Sequence, residues 1–224
     1  MIHVSMKKKY LFLFVILLIV FSAYISYYFE FSNTNQLYKS LRLDGHLDKS
    51  IFALALDGKR KLCKYTTVLT IIDYTKPSTS KRLFLLDLWN EKMICNTYVA
   101  HGKNTGENYA TIFSNENESH KSSLGFYKTG RTYYGKHGYS LRLSGLENGI
   151  NDMAAHRAIV LHGADYVSEE FIKAHGRLGR SHGCPAVPMD MHKEIITKIK
   201  NGTCLFIFAD NKDYKKKSVI YKQD

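Results

Sequence analysis

The alternation of apolar and polar positions divides the chain into a long apolar leader and a body of short apolar runs. Twenty residues from Tyr10 to Phe29 are apolar or aromatic, interrupted only by Ser22 and Ser26 and closed by Glu30. A helix of that length rises about 30 Å, the thickness of a bilayer's hydrocarbon core. Residues 1–29 therefore predict an N-terminal transmembrane helix acting as a signal anchor, or else a cleaved signal peptide. Lys7, Lys8 and Lys9 precede the run, which predicts a cytoplasmic N-terminus and a body on the far side of the membrane. No A-x-A-like exit occurs around Ser22-Ala23-Tyr24, which favours the anchor over cleavage. Residues 30–64 read as a polar connector followed by a short helix, because Leu47, Ile51 and Leu54 recur at helical spacing before Gly58.

From residue 65 the apolar runs shorten to strand length. Val68–Ile72 and Leu83–Leu86 are two of them, and the turn Trp89-Asn90-Glu91-Lys92 leads into Met93–Val99 as a hairpin. Leu124–Tyr127, Tyr139–Leu143, Ala158–His162 and Cys204–Phe208 predict further strands. Ser168 caps a short helix over Glu169–Ala174, and Pro188 stands where a first-turn proline opens another that ends at Asn201-Gly202. The expected fold is mainly β with a few short helices over residues 65–210, preceded by the transmembrane helix and followed by a basic tail at 211–224.

Composition narrows the partners. With 45% hydrophobic and 23% charged residues in 224, the chain is globular and sized for one domain plus an anchor. The net charge is +12, of which the three lysines before the apolar run carry +3, and the +9 on the rest draws an exported domain to anionic lipid, wall polymers or peptide carboxylates. The export signal argues against nucleic acid as the partner of that charge. Cysteines at 63, 95, 184 and 204 are too widely spaced to be a disulfide framework; a single Cys63–Cys95 bridge is possible, and Cys204 reads as core.

The sharpest chemical signal is a histidine–glycine pattern. Ten histidines and fifteen glycines would meet as His-Gly less than once by chance, yet five pairs occur: His101-Gly102, His137-Gly138, His162-Gly163, His175-Gly176 and His182-Gly183. The apolar run Ala158–Leu161 delivers His162 to the end of a buried strand, and Ser181-His182-Gly183-Cys184 makes a tight loop ending on a thiol. A thiol acts as its thiolate, which a nearby imidazole favours by taking the proton. His162 can then return that proton to a leaving amine. Glycine before the nucleophile frees backbone N–H groups to face a developing oxyanion. A zinc site built from His162, His175, His182 and Cys184 is the competing reading, but no paired ligand spacing supports it. No cofactor or metal is expected. His101, His137 and His175 read as turn or surface residues, and Tyr133, Tyr134 and Tyr139 as packing.

These residues resemble the L,D-transpeptidase catalytic domain, whose hallmark is an early His-Gly followed by Ser/Thr-His-Gly-Cys, here His162-Gly163 and Ser181-His182-Gly183-Cys184. The likeness extends through Tyr98–Glu107, Ser122–Tyr127 and Gly135–Leu143, and is similar to the family's divergent murein branch. It implies a mostly-β catalytic fold, Cys184 as the acylated nucleophile and His162 as proton acceptor and donor. It further implies that the Gly163 carbonyl orients His162, that N–H groups near Gly183 and Cys184 hold the oxyanion, and that His182 and Ser181 support the loop. Tyr139 would approach the substrate carbonyl. The implied substrate is the peptidoglycan stem tetrapeptide, cut before its terminal D-alanine, with a second stem as acyl acceptor. Common members carry a basic or amide residue two positions after the cysteine, where this chain has Ala186; Arg177 or Arg180 would have to serve instead. L,D-carboxypeptidase activity and a silent wall-binding module are the alternatives.

Overall fold

A computed structural model describes residues 2–221, with side chains described outside residues 2–9 and 23–32. Helix α1 runs over Ile2–Ser40 and α2 over Lys49–Leu62. Eight strands follow: β1 Val68–Asp73, β2 Leu83–Asp87, β3 Lys92–Thr97, β4 Gly125–Gly135, β5 Gly138–Gly145, β6 Val160–Ala164, β7 Ala186–Pro188 and β8 Cys204–Phe208. Between and after them lie a 3-10 turn at Asp152–Ala154 and helices α3 Glu169–His175, α4 His192–Ile199 and α5 Lys212–Lys217.

All eight strands form one sheet in the order β3-β2-β1-β8-β4-β5-β6-β7, parallel at β1–β8 and β6–β7 and antiparallel elsewhere. The chain leaving β3 bridges back to β7 at Ala100–Ala186, so the two ends of the sheet approach each other. β8 is buried along its whole length, which is why it reads as an unbroken apolar run and not an alternating one. Its Phe206 stacks on Phe126 of β4 with ring centroids 4.1 Å apart.

The mainly-β expectation holds, with local corrections. The expected membrane-spanning helix is not supported: among the described residues no helix is long and apolar enough to cross a membrane. Residues 23–29, which complete the twenty-residue run, lie outside the described side chains. The connector expected after it is helical as far as Ser40, where Tyr38 turns into the core and donates its hydroxyl to the Leu43 and Leu47 carbonyls. Gly58 does not stop α2. It lies inside the helix at a position where a Cβ would fall 2.0 Å from the Phe126 ring, so no side chain fits there. Pro188 does not open a helix; it ends β7, paired in parallel with Ala164. The expected basic tail contains α5, whose Tyr214 is buried. All four cysteines are free, and the Cys63 thiol interacts with Cys204 and not with Cys95.

Candidate functional site

The two candidate catalytic residues arrive on neighbouring strands at one end of the sheet. Residues 160–164 of β6 are all buried, and the strand pairs His162 with Ala186 of β7. Continuing that register by two residues sets Cys184 opposite Val160. Cys184 itself lies in the bend before β7, with its thiol turned to the β6 backbone. The Cys184 Sγ accepts the Val160 N–H at 3.5 Å and lies 3.9 Å from the Ala158 carbonyl. No hydrogen bond joins it to His162 among the described residues.

His162 is 2% exposed. Its Nδ1–H donates to the Gly163 carbonyl at 2.9 Å, which leaves Nε2 as the acceptor nitrogen. Burial pulls its pKa down, against the Gly163 hydrogen bond, and His137 and His192 push the same way. A neutral imidazole is what a general base requires. Gly163 is needed for a further reason: a Cβ there would stand 2.7 Å from the His192 ring. His137, at the turn between β4 and β5, stacks over His162 with centroids 4.4 Å apart.

The nucleophile loop is braced from both ends. Ser181 Oγ accepts the Gly183 N–H at 3.1 Å and donates to the Cys184 carbonyl at 2.6 Å. Gly183 has φ of +118°, a conformation that side chains other than glycine's rarely adopt. The Gly183 N–H is taken by Ser181, whereas the His182 and Cys184 N–H groups have no acceptor among the described residues. His182 stacks on His120 at 4.3 Å. Burial pushes the Cys184 thiol above its ordinary value, opposed by the Val160 N–H and by Arg157.

The segment Ala100–Lys103 flanks this loop on the side away from β6. Ser181 N–H donates to the His101 carbonyl at 3.0 Å and Lys103 N–H to the Ser181 carbonyl at 2.8 Å. Ser122 Oγ accepts the Gly102 N–H at 3.0 Å and donates to the Gly183 carbonyl at 3.1 Å. Behind these lies Arg82, fully buried, with both Nε and Nη2 donating to the Val99 carbonyl and Nη2 to His101 Nδ1 at 2.8 Å. Its guanidinium lies 4.7 Å from the Tyr74 ring centre, and burial pulls its pKa down to about 10. Sequence reading took His101 for a turn or surface residue; it is 1% exposed and holds the loop from behind. Ser122 opens one of the segments that carry the family likeness, whereas nothing local to Arg82 distinguishes it from other polar residues beside strands.

A cavity of about 780 Å³ opens beside His162, lined among others by Tyr134, His137, Tyr139, Tyr166 and Met189. Tyr139 thus sits at the site, its ring 5.3 Å from that of Tyr134. Arg177 and Arg180 are both held by Glu107, at 2.9 and 2.6 Å, and Arg180 also donates to the Lys103 and Gly106 carbonyls. Among the described residues no cluster of three or more histidines, cysteines or acids could hold a metal ion.

No curated protein matches the chain. Among solved structures it is similar to an L,D-transpeptidase from Mycobacterium smegmatis at 11% identity, covering 64% of this chain and 59% of that one, with a TM-score of 0.41. It is also similar to the helical cell shape determining protein Pgp2 from Campylobacter jejuni at 13% identity, covering 72% and 55%, with a TM-score of 0.44. The alignments thus span little more than half the length of those proteins. The profile of the L,D-transpeptidase catalytic domain matches residues 43–208, most of the chain and the whole of the site, so the protein belongs to the L,D-transpeptidase catalytic-domain family.

Proposed function

We propose that the protein is a peptidoglycan L,D-transpeptidase that works through a Cys184 thioester on the outer side of the cytoplasmic membrane. The observation that supports this reading is the pairing of His162 with Ala186, which brings the strand carrying His162 alongside the loop that carries Cys184, next to a cavity that His162 lines. In the proposed reaction the thiol turns from Val160 and Ala158 toward His162 and gives its proton to Nε2. The thiolate attacks the carbonyl carbon between the L-centre of a diamino acid and the terminal D-alanine, and the Cys184 N–H receives the developing oxyanion. His162 then passes its proton to the departing nitrogen, D-alanine leaves, and a thioester remains. An amine from a second stem peptide resolves it with formation of a new amide; water in the same place makes the reaction a carboxypeptidation.

Gly183, Ser181 and His182 support the loop in this scheme, Gly163 fixes the tautomer of the base, and Tyr139 contacts the donor. Arg177 and Arg180 can take a stem carboxylate only by exchanging it for Glu107. The apolar stretch of α1, with Tyr10–Phe21 exposed along it, is the proposed attachment to the inner membrane.

The reading is tested with a carbapenem, a strained acyl donor, on the full chain in detergent. Intact-protein mass should rise by one carbapenem on the wild type. It should not rise on Cys184→Ala or His162→Ala, whereas Cys63→Ala, Cys95→Ala and Cys204→Ala should keep the adduct. An adduct that survives Cys184→Ala would overturn the mechanism. Muropeptide analysis with tetrapeptide fragments then separates cross-linked products from trimmed tripeptides.

A further inference from the structure

Arg157 is anchored as few surface arginines are. Its Nη1 donates to the Ser114 carbonyl at 2.8 Å and to Ser123 Oγ at 2.9 Å, and its Nη2 to Ser119 Oγ at 3.2 Å and the Lys121 carbonyl at 2.6 Å. All four terminal N–H groups are thus spent on neutral acceptors. Among the described residues no carboxylate pairs with it, so its positive charge is fixed in place and left uncompensated. A guanidinium keeps that charge at any pH a protein meets.

The place where the charge is fixed matters. A Cβ on Gly183 would lie 3.4 Å from Arg157 Nη2 and 2.8 Å from the Lys121 carbonyl to which that nitrogen donates. The guanidinium is therefore packed against the residue immediately before the nucleophile. The thiol itself rests on the strand that Arg157 leads into, at the Val160 N–H and the Ala158 carbonyl. No hydrogen bond joins His162 to Sγ among the described residues, and Arg157 is the cation whose charge favours the thiolate of the half-buried Cys184.

We infer that Arg157 is a positioning residue whose fixed charge stabilises the Cys184 thiolate across Gly183, a role resting on the reading of Cys184 as nucleophile. Ionisation breaks the S–H bond and sends the proton to His162 Nε2 during reaction, or to solvent in the resting enzyme. Burial opposes this ionisation, and the Arg157 charge and the Val160 N–H offset part of that cost. The coupling is mutual, since Cys184 in turn favours the charged form of Arg157. The other titratable groups facing the thiol are His162 on β6, Tyr166 after β6 and Tyr74 after β1. Burial raises both tyrosines to about 12, so they stay neutral while the thiol titrates. His182, in the loop, stacks instead on His120.

The alternative is that Arg157 merely ties down residues 114–123, and a pH profile separates the two roles. The rate of Cys184 alkylation by iodoacetamide, followed by peptide mass mapping so that the other three cysteines are read apart, gives the thiol's titration midpoint. Arg157→Gln should move that midpoint up by about one pH unit, roughly a tenfold slower reaction at neutral pH. Arg157→Lys should lie nearer the wild type. Ser119→Asp leaves Arg157 in place but puts a carboxylate against Nη2, and should also raise the midpoint, while Ser119→Asn should not. Ser123→Ala removes one tether without touching the charge and should leave the midpoint alone. An unmoved midpoint in Ser119→Asp and Arg157→Gln would overturn the proposal, as would a Ser123→Ala shift as large as theirs. If Arg157→Gln does not fold, the Ser119 pair decides. Loss of the carbapenem adduct question is separate, because alkylation reports the thiol whether or not Cys184 transfers acyl groups.

Discussion

Lowering the pH from 7 to 5 should weaken the fold through His101. Its ring is enclosed, with Nδ1 accepting from Arg82 Nη2 at 2.8 Å and Nε2–H donating to the Gly106 carbonyl at 3.1 Å. A second proton on Nδ1 would face the guanidinium directly, and burial together with Arg82 pulls the His101 pKa from 6.5 to about 4. The folded value lies below the unfolded one, so acid is taken up preferentially by the unfolded chain. The stability that the neutral ring contributes is complete above pH 6.5 and is lost as the pH falls toward 4. Linkage between those two values gives a loss of about 2 kcal/mol at pH 5 and about 3 kcal/mol at pH 4. The control is His101→Gln, an uncharged side chain that cannot titrate. Urea unfolding of both proteins at pH 7 and pH 5 isolates the term: the wild-type advantage over the variant should shrink by about 2 kcal/mol. An advantage that stayed constant or grew on acidification would refute the argument, since it would mean that His101 is not neutral in the folded state or not shielded there. Because the His101 carbonyl holds the Ser181 N–H, the same acidification should slow carbapenem acylation of Cys184.

Three further outcomes are expected. Gly58→Ala should destabilise despite its better helix propensity, because the gain of about 1 kcal/mol is outweighed by overpacking of about 1–3 kcal/mol against Phe126; an unchanged or raised urea midpoint would contradict this. Ser122→Ala strips one partner from the Gly102 N–H and one from the Gly183 carbonyl and should cost about 2 kcal/mol, read by urea unfolding, with slower carbapenem acylation; a change of only a few tenths would show the hub to be dispensable. A C-terminal reporter that fluoresces only in the cytoplasm should stay dark on the full chain, and a bright signal would reverse the proposed topology.

What the chain determined by itself is whatever rests on neighbours in sequence. Val68–Ile72, Leu83–Leu86 and Cys204–Phe208 became strands because runs of apolar, mostly β-branched or aromatic residues bury well on both faces of a sheet. Ser168 capped α3 through the Phe171 N–H because that contact spans three residues. Cys184 and His162 stand out as candidates for the same reason, each carrying its glycine and its local chemistry beside it. Tertiary structure decided what depends on a distant partner. Gly58 is a notch for Phe126, and only the packing of α2 on β4 reveals that it does not end a helix. Pro188 became the end of β7 because β6 offered a parallel neighbour. His101 passed for a turn residue until Arg82 and the 181–184 loop enclosed it. Arg177 and Arg180 look free in sequence and are held by Glu107, some seventy residues earlier. The charge of Arg157 acquires meaning only where Gly183, lacking a side chain, lets the guanidinium come close to the nucleophile. Local propensity is written in consecutive residues, whereas burial, ion pairing and electrostatic coupling belong to whichever groups the fold brings together.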